Sequence, residues 1–410
     1  MMPLLPLLAL SPALANGLTS HQWITLQAVE RLPVGELRDL LESEDGRPAL
    51  LNGALFPDGG YAVGDGYGEM AHWEPFQMAY LEWIRENDAA DAYKAFLFGL
   101  TSHGMADQTF DAMFMERSKV YDADAGWAEG RSMDEATDVA LAAAVGPGEV
   151  PPVWFPEVFP VLFAAQGHDV DEATLTQGTS LAGVAIRSVG VWSQIPETVA
   201  GYDAQFPWAD AHIVDPEVRC SPVCEADMVA AYWQVVWDRL EGGDGWTHPV
   251  IATVPADGEG AQPIEAGSPE STVAIVFARG LASMFVVPGV ITVADADGRD
   301  VPVDLNLFYG EDSHVILVAP VDGWTAETDY VVTVHPGLAT FDGPVMEEEY
   351  RFTFDTRARV DDTAEDTGAV PMLAEGCGCS SVRASDASGA AVGVLGAVGL
   401  VWRRRRSRGR

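Results

Sequence analysis

The segment AFLFGLTSHGMADQTFDAMF, residues 95–114, carries one imidazole and two carboxylates in a run that is otherwise mostly apolar or small. His103, Asp107 and Asp111 each follow the last by four residues. On a 3.6-residue period all three share one helix face, drifting about 40° per step. A buried helix cannot carry such groups without partners, because an unpaired charge in apolar surroundings is costly. Other motifs offer partners. Upstream stand NGLTSHQWI with His21, FPDGGY with Asp58 and EMAHWEPF with His72. Downstream, SMDEATDVALAAA places Asp134 and Asp138 one helical turn apart. Taken singly, a histidine of this kind reads as a hydrogen-bonded core residue, and Asp58 inside Pro-Asp-Gly-Gly reads as a turn residue. Together they read as a metal site. Imidazole with carboxylate suits zinc, and His-x3-Asp on a helix presents two ligands to one ion.

Helices must bring these residues together. TLQAVERLPVGELRDLLESE, PFQMAYLEWIREN and EADMVAAYWQVVWDRLEGG all space apolar residues at three to four positions. The pattern predicts a mostly helical domain over residues 16–245. Cys220 and Cys224 flank Ser-Pro-Val, and in an exported domain a local disulfide is the expectation. Tyr61, Trp73, Phe76, Phe110 and Trp127 lie near the motifs, and core packing is the expected role for most of them.

From about Thr247 the texture changes. STVAIVFARG, GVITVADADGRDVPVDLNLFYG, SHVILVAP, DYVVTVHP and YRFTFDTR are short β-branched runs separated by Gly, Pro and Asp turns. They predict an all-β sandwich over residues 246–357. His314 and His335 fall within it as structural or surface residues. Residues 358–376 read as an acidic linker.

The ends read as addresses. MMPLLPLLALSPALA, residues 1–15, has the apolar core and small-x-small ending of a secretory signal, which would make Asn16 the mature first residue. Cys377 and Cys379 precede an uncharged apolar stretch, 387–402, and then RRRRSRGR. The arginines read as a cytoplasmic stop behind a short apolar segment. The formal net charge is −39, and loss of residues 1–15 and 378–410 takes away seven Arg and one Asp, leaving −45. Such a surface disfavours nucleic acid as a partner.

The order of NGLTSHQWITLQAVERL, FPDGGY, HWEPF, YLEWIREN and AFLFGLTSHGMADQTF over residues 16–138 resembles the zinc-dependent phospholipase C family. The likeness is nearest to its glycosylphosphatidylinositol-specific phospholipase D branch. The β segment resembles bacterial Ig-like domains, and the C-terminal signature resembles a myxobacterial sorting signal, which implies processing near Cys377 and Cys379 and a protein anchored at the cell surface or outer membrane, or secreted. The first resemblance implies a helical domain with three metals. His72, His103 and Asp107 would hold one zinc. Asp107, His21 and the amine of Asn16 would hold a second, with Asp58 as general base. At the third site the family uses two His and an acid, where this chain has Asp111, Asp134 and Asp138. Three carboxylates suit calcium, magnesium or manganese better than zinc.

The function implied is metal-dependent phosphodiester hydrolysis on phospholipid or glycolipid head groups. A nuclease-like phosphodiesterase of the same fold and a non-catalytic, metal-stabilised surface-binding protein are the alternatives.

Overall fold

The computed structural model describes residues 16–356. The export signal, linker and anchor expected at residues 1–15 and 358–410, with Cys377 and Cys379, lie outside the described residues. The chain is helical as far as Leu240 and carries strands from Val250 to Thr356. This is the helical-then-β order expected from the sequence.

Helices α1 (Leu18–Arg31), α2 (Glu36–Glu42) and α3 (Gly46–Val63) come first. Then follow α4 (Tyr67–His72), α5 (Glu74–Glu86) and α6 (Asp91–Thr109). A π-helical stretch, Phe110–Met115, joins α6 to α7 (Glu116–Tyr121). Beyond it lie α8 (Met133–Val145), α9 (Phe159–Ala165), α10 (Glu172–Trp192), α11 (Pro196–Asp203), α12 (Pro207–His212) and α13 (Pro222–Leu240).

The central pair is α3 against α6. Gly53 and Gly99 let the two backbones touch: a Cβ on Gly53 would stand 2.2 Å from the Phe96 carbonyl oxygen, and one on Gly99 2.0 Å from that of Leu50. Pro-Asp-Gly-Gly, a turn by local chemistry, is helical here, with Pro57 inside α3. Residues 49–60 of α3 are all buried, so packing outweighs local preference. The helix stops at Gly64, whose φ of 68° closes it in the left-handed region.

The strands are β1 (Val250–Val254), β2 (Glu259–Gln262), β3 (Val273–Phe277), β4 (Ile291–Asp295), β5 (Asp300–Val301), β6 (Val303–Leu307), β7 (Val315–Pro320), β8 (Asp329–Val334) and β9 (Tyr350–Thr356). They form two sheets, ordered β1-β3-β7-β6 and β2-β9-β8-β4-β5. Pairing is antiparallel except for β2 with β9.

The sequence reads the β region as a separate module. In the structure one apolar core runs through both parts, from Phe56, Phe96 and Trp233 to Ile275, Phe277 and Ile316. Buried charge at the seam is paired. Glu74, next to the His72-Trp73 dipeptide, accepts from Arg239 at 2.6 Å and from the Gly280 amide at 2.5 Å, and Arg279 pairs with Asp342. Gln108, the neighbour of Asp107, accepts from the His314 amide at 2.8 Å. His314 is buried as a structural residue, its Nδ1 2.9 Å from the Phe277 carbonyl oxygen. The β region is therefore fastened to residues adjoining two of the motif histidines and acids.

Candidate metal centre

Five residues from four helices meet at one point: His21 on α1, Asp58 on α3, His72 at the end of α4, and His103 and Asp107 on α6. The ring of His21 stacks on that of His103 with centroids 3.6 Å apart, and His72 meets His103 edge-on at 4.5 Å. Nε2 of His72 lies 2.9 Å from Nε2 of His103. Asp107 Oδ2 stands 3.3 Å from the former and 3.4 Å from the latter. Asp58 Oδ1 is 3.9 and 3.8 Å from the same two nitrogens. His21 Nε2 is 3.1 Å from Asp107 Oδ1 but is not aligned for a hydrogen bond.

The outer atoms of the rings are already committed. Nδ1 of His72 lies 2.6 Å from the Gly68 carbonyl oxygen, and Nδ1 of His103 lies 2.8 Å from that of Ala54. A carbonyl only accepts, so each Nδ1 carries the proton and each Nε2 turns a lone pair inward. Two lone pairs facing at hydrogen-bond distance need a proton or a cation between them. The inner oxygens of Asp58, Oδ1 of Asp107 and both ring nitrogens of His21 are buried without a hydrogen-bond partner. Buried polar atoms are nearly always satisfied. Ligand atoms of His21, Asp58 and His103, and of His72, His103 and Asp107, each fall within 4.8 Å of one another. The donor set and its orphaned atoms fit a divalent metal ion.

The electrostatics carry the same strain. Burial pushes Asp58 up to about 7 against the pull of His21 and His72, with Asp107 adding to the rise. Burial also opposes ionisation of Asp107, but His21 and His103 outweigh it and hold that carboxyl far below its usual range. His21 and His72 are raised: burial works against their charge, and Asp107 overcomes it. His103 is held well below its usual value by burial and then by His21.

No family model matches the chain. A stretch equal to 25% of it is 33% identical, over 118 residues, to phosphatidylinositol-glycan-specific phospholipase D of Rattus norvegicus. The match covers 14% of that protein's length. Among solved structures, the methionine-rich copper resistance protein PcoC of Escherichia coli covers 26% of this chain and 97% of its own at 16% identity, with a TM-score of 0.20. The bacterial S-layer protein SbsC covers 82% of this chain and 46% of its own at 11% identity, with a TM-score of 0.23. Scores of that size do not indicate a shared fold.

Of the acids expected at a third ion, Asp138 is taken by other partners, while Asp134 and Asp111 lie close enough to interact. Asp138 is taken up by α1: its Oδ1 accepts from the Ser20 amide at 2.7 Å and hydroxyl at 3.0 Å, and its Oδ2 from the Thr19 amide at 3.1 Å. It satisfies amides that the first turn of α1 leaves open. Gly17 makes room, since a Cβ there would stand 2.3 Å from that of Asp138. Asp138 is thus a helix cap and not a partner of Asp111. Asp111 sits in the π-helical stretch, off the 3.6-residue line of His103 and Asp107. Burial raises it to about 7, and Asp107 adds to the rise. Burial and the charge of Asp111 raise Asp134 well above its usual value.

Asn16 is buried, and its amide donates to Glu225 Oε2 at 3.0 Å. Glu225 was not anticipated. It is a buried acid on the apolar face of α13, and burial raises it strongly, with Cys224, Asp107 and Asp111 adding to the effect. Its signal was one of two acids, with Asp227, in the otherwise uncharged CEADMVAAYW. Tyr309, just past β6, was missed entirely; its phenol donates to Asp111 Oδ2 and its ring meets Trp73 edge-on at 5.2 Å. The expected disulfide is not formed. The sulfurs of Cys220 and Cys224 stand 3.7 Å apart, where a bond needs about 2.05 Å. Phe76 and Phe110 are core residues, and Trp127 packs on Phe206. Tyr61 instead lies against the His72 ring with centroids 5.1 Å apart, and both Tyr61 and Trp73 donate to Glu69.

Proposed function

We propose that this chain is a metal-dependent hydrolase of phosphodiesters in phospholipid or glycosylated-lipid head groups, exported and held at the cell surface. The observation that carries the reading is the meeting of His21, Asp58, His72, His103 and Asp107, with their inward atoms unpartnered. The 33% identity of a stretch of the chain to phosphatidylinositol-glycan-specific phospholipase D supports the reaction class. Zinc is the ion that three imidazoles and two carboxylates suit best. His72, His103 and Asp107 would hold one ion. Asp107, His21 and the amine of Asn16, freed by cleavage after Ala15, would hold a second. When bound, zinc supplies Lewis acidity toward phosphoryl oxygens and lowers the pKa of water. Asp58 takes the proton of the attacking water at a carboxylate oxygen. Its burial keeps it dry, and its place 3.8–3.9 Å from Nε2 of His103 and His72 puts it beside the reacting centre. Asp111 and Asp134 could take a weaker third ion of the harder type.

The test is elemental analysis of the purified protein together with release of a chromophore from a soluble phosphodiester, before and after chelation. Zinc with chelator-sensitive turnover supports the reading. Tightly bound metal without turnover on either the soluble ester or phospholipid favours a metal-stabilised binding protein. The capping of α1 by Asp138 is the observation on that side.

A further inference from the structure

Residues 283–289, Ser-Met-Phe-Val-Val-Pro-Gly, form a loop with no charged side chain in a protein of net charge −39. Met284 is 75% exposed, Val287 49% and Phe285 39%. The loop is firmly rooted. Leu281, Ala282 and Val290 at its ends are buried. The Leu281 amide donates to the Ser313 carbonyl oxygen at 3.0 Å, and the Ala282 amide to that of Ala339 at 3.0 Å. It is also linked to Asp111, four residues beyond Asp107. Ser283 donates through its amide at 2.9 Å and its hydroxyl at 2.5 Å to Glu311. Two residues before Glu311 is Tyr309, 41% exposed, whose phenol is bonded to Asp111. One short segment thus joins the apolar loop to the edge of the His–Asp cluster.

We propose that this loop is a membrane-docking surface that seats the metal centre on a zwitterionic phospholipid surface. The choice of a lipid occupant rests on the lipid-hydrolase reading above. The chemistry of the loop supplies the rest. Methionine, phenylalanine and valine on a rigid turn can enter the boundary between head groups and acyl chains, where apolar area leaves water. The loop has no Lys or Arg to recruit anionic lipid, and Glu311 and Asp312 stand beside it. An anionic surface would repel it, whereas a zwitterionic one would not. Docking there would hold head groups at the Tyr309 side of the cluster, where Asp111 and Trp73 meet the β region.

The experiment uses the full chain and its Met284→Asp/Phe285→Asp variant, with the milder Met284→Ser/Phe285→Ser pair as a second variant. Each is tested for sedimentation with phosphatidylcholine vesicles and with phosphatidylglycerol vesicles, and for turnover of a soluble phosphodiester. The expected result is a loss of phosphatidylcholine-vesicle binding of about tenfold or more, since two exposed apolar side chains are removed from the membrane boundary. The loss should be larger on phosphatidylcholine than on phosphatidylglycerol, with soluble-ester turnover unchanged. Val184→Asp, at an exposed apolar site on α10, should change neither reading. Equal vesicle binding by wild type and both variants overturns the proposal. So does a larger loss on the anionic vesicles, or a wild-type dimer that the variants convert to monomer, which would make the loop a self-association surface. Absence of soluble-ester turnover in the wild type would count against the hydrolase reading alone, because vesicle binding is read independently of it.

Discussion

Two sets of acids lie close together in this molecule and behave differently. Asp58 and Asp107 converge with three imidazoles, and their inward oxygens have no hydrogen-bond partner. Asp111, Asp134 and Asp138 are expected to form a matching set beside them, and two of the three have other hydrogen-bond partners. Asp138 spends its oxygens on the amides of α1, and Asp111 gives one oxygen to a phenol from the β region. The difference teaches that residue type and helical spacing bring acids to one neighbourhood, but the nearest unsatisfied donor decides what each one does. Where backbone amides lie in reach an acid becomes structural. Where only imidazole nitrogens lie in reach, its inward oxygens stay unpartnered and suit a metal ion.

Substitutions can break this contrast. Asp107→Asn should have the largest effect, since Asp107 lies against His21, His72 and His103 at once. Loss of the metal, and with it all measurable turnover, is expected by elemental analysis and a soluble-ester assay. Asp58→Asn should keep the metal and the fold while lowering turnover by about 10² or more, the usual contribution of a positioned base. Tyr309→Phe sharpens the other side of the comparison. Losing a carboxylate's supporting hydrogen bond costs about 10–100-fold in affinity at metal sites. A manganese or calcium titration of the wild type and variant should show that loss only for a weak ion at Asp111, with zinc at the imidazoles unchanged. Asp138→Ala should leave metal content alone and lower stability by about 1 kcal/mol, as loss of a helix cap does, measured by urea unfolding.

The pH dependence of the chelated protein follows from the same cluster. Asp58 and Asp111 are raised to about 7, so their contribution to stability is complete below about 3.9 and is lost as pH rises through 7. His21 and His72 are raised, so theirs is complete below about 6.5 and lost above it. His103 is lowered and works the other way, but only below about 6.5. The low value of Asp107 acts only in acid. The metal-free protein should therefore melt at a lower temperature at pH 8 than at pH 6.5. Metal binding strengthens as its ligands lose protons, so the gap between loaded and chelated melting temperatures should widen over the same range.

Much of this was legible in the sequence. His103 and Asp107 announce themselves by sharing a helix face, and His21, Asp58 and His72 by standing in short motifs in an apolar setting. The change from helix to strand near Thr247 was plain from β-branched runs. What was hidden depends on contacts distant in sequence. Tyr309 is 198 residues from Asp111, and nothing local marks a tyrosine in LFYGED as part of a site. Asp138 caps a helix 118 residues earlier, and its pairing with Gly17 is visible only once α1 and α8 are packed. The helical course of Pro-Asp-Gly-Gly came from burial against neighbouring helices, which overrode strong turn chemistry. Cys220 and Cys224 had the spacing for a local disulfide, but their sulfurs stand 3.7 Å apart.

The central claim is that His21, His72, His103 and Asp107 hold zinc beside Asp58 for phosphodiester hydrolysis. Zinc stoichiometry of the wild type and of Asp107→Asn, measured by mass spectrometry of the elements after dialysis against micromolar zinc, tests it most directly. The account predicts two zinc ions per wild-type chain and loss of both in the variant, because Asp107 is shared between them. Equal zinc in the two proteins, or none above background in the wild type, would contradict it.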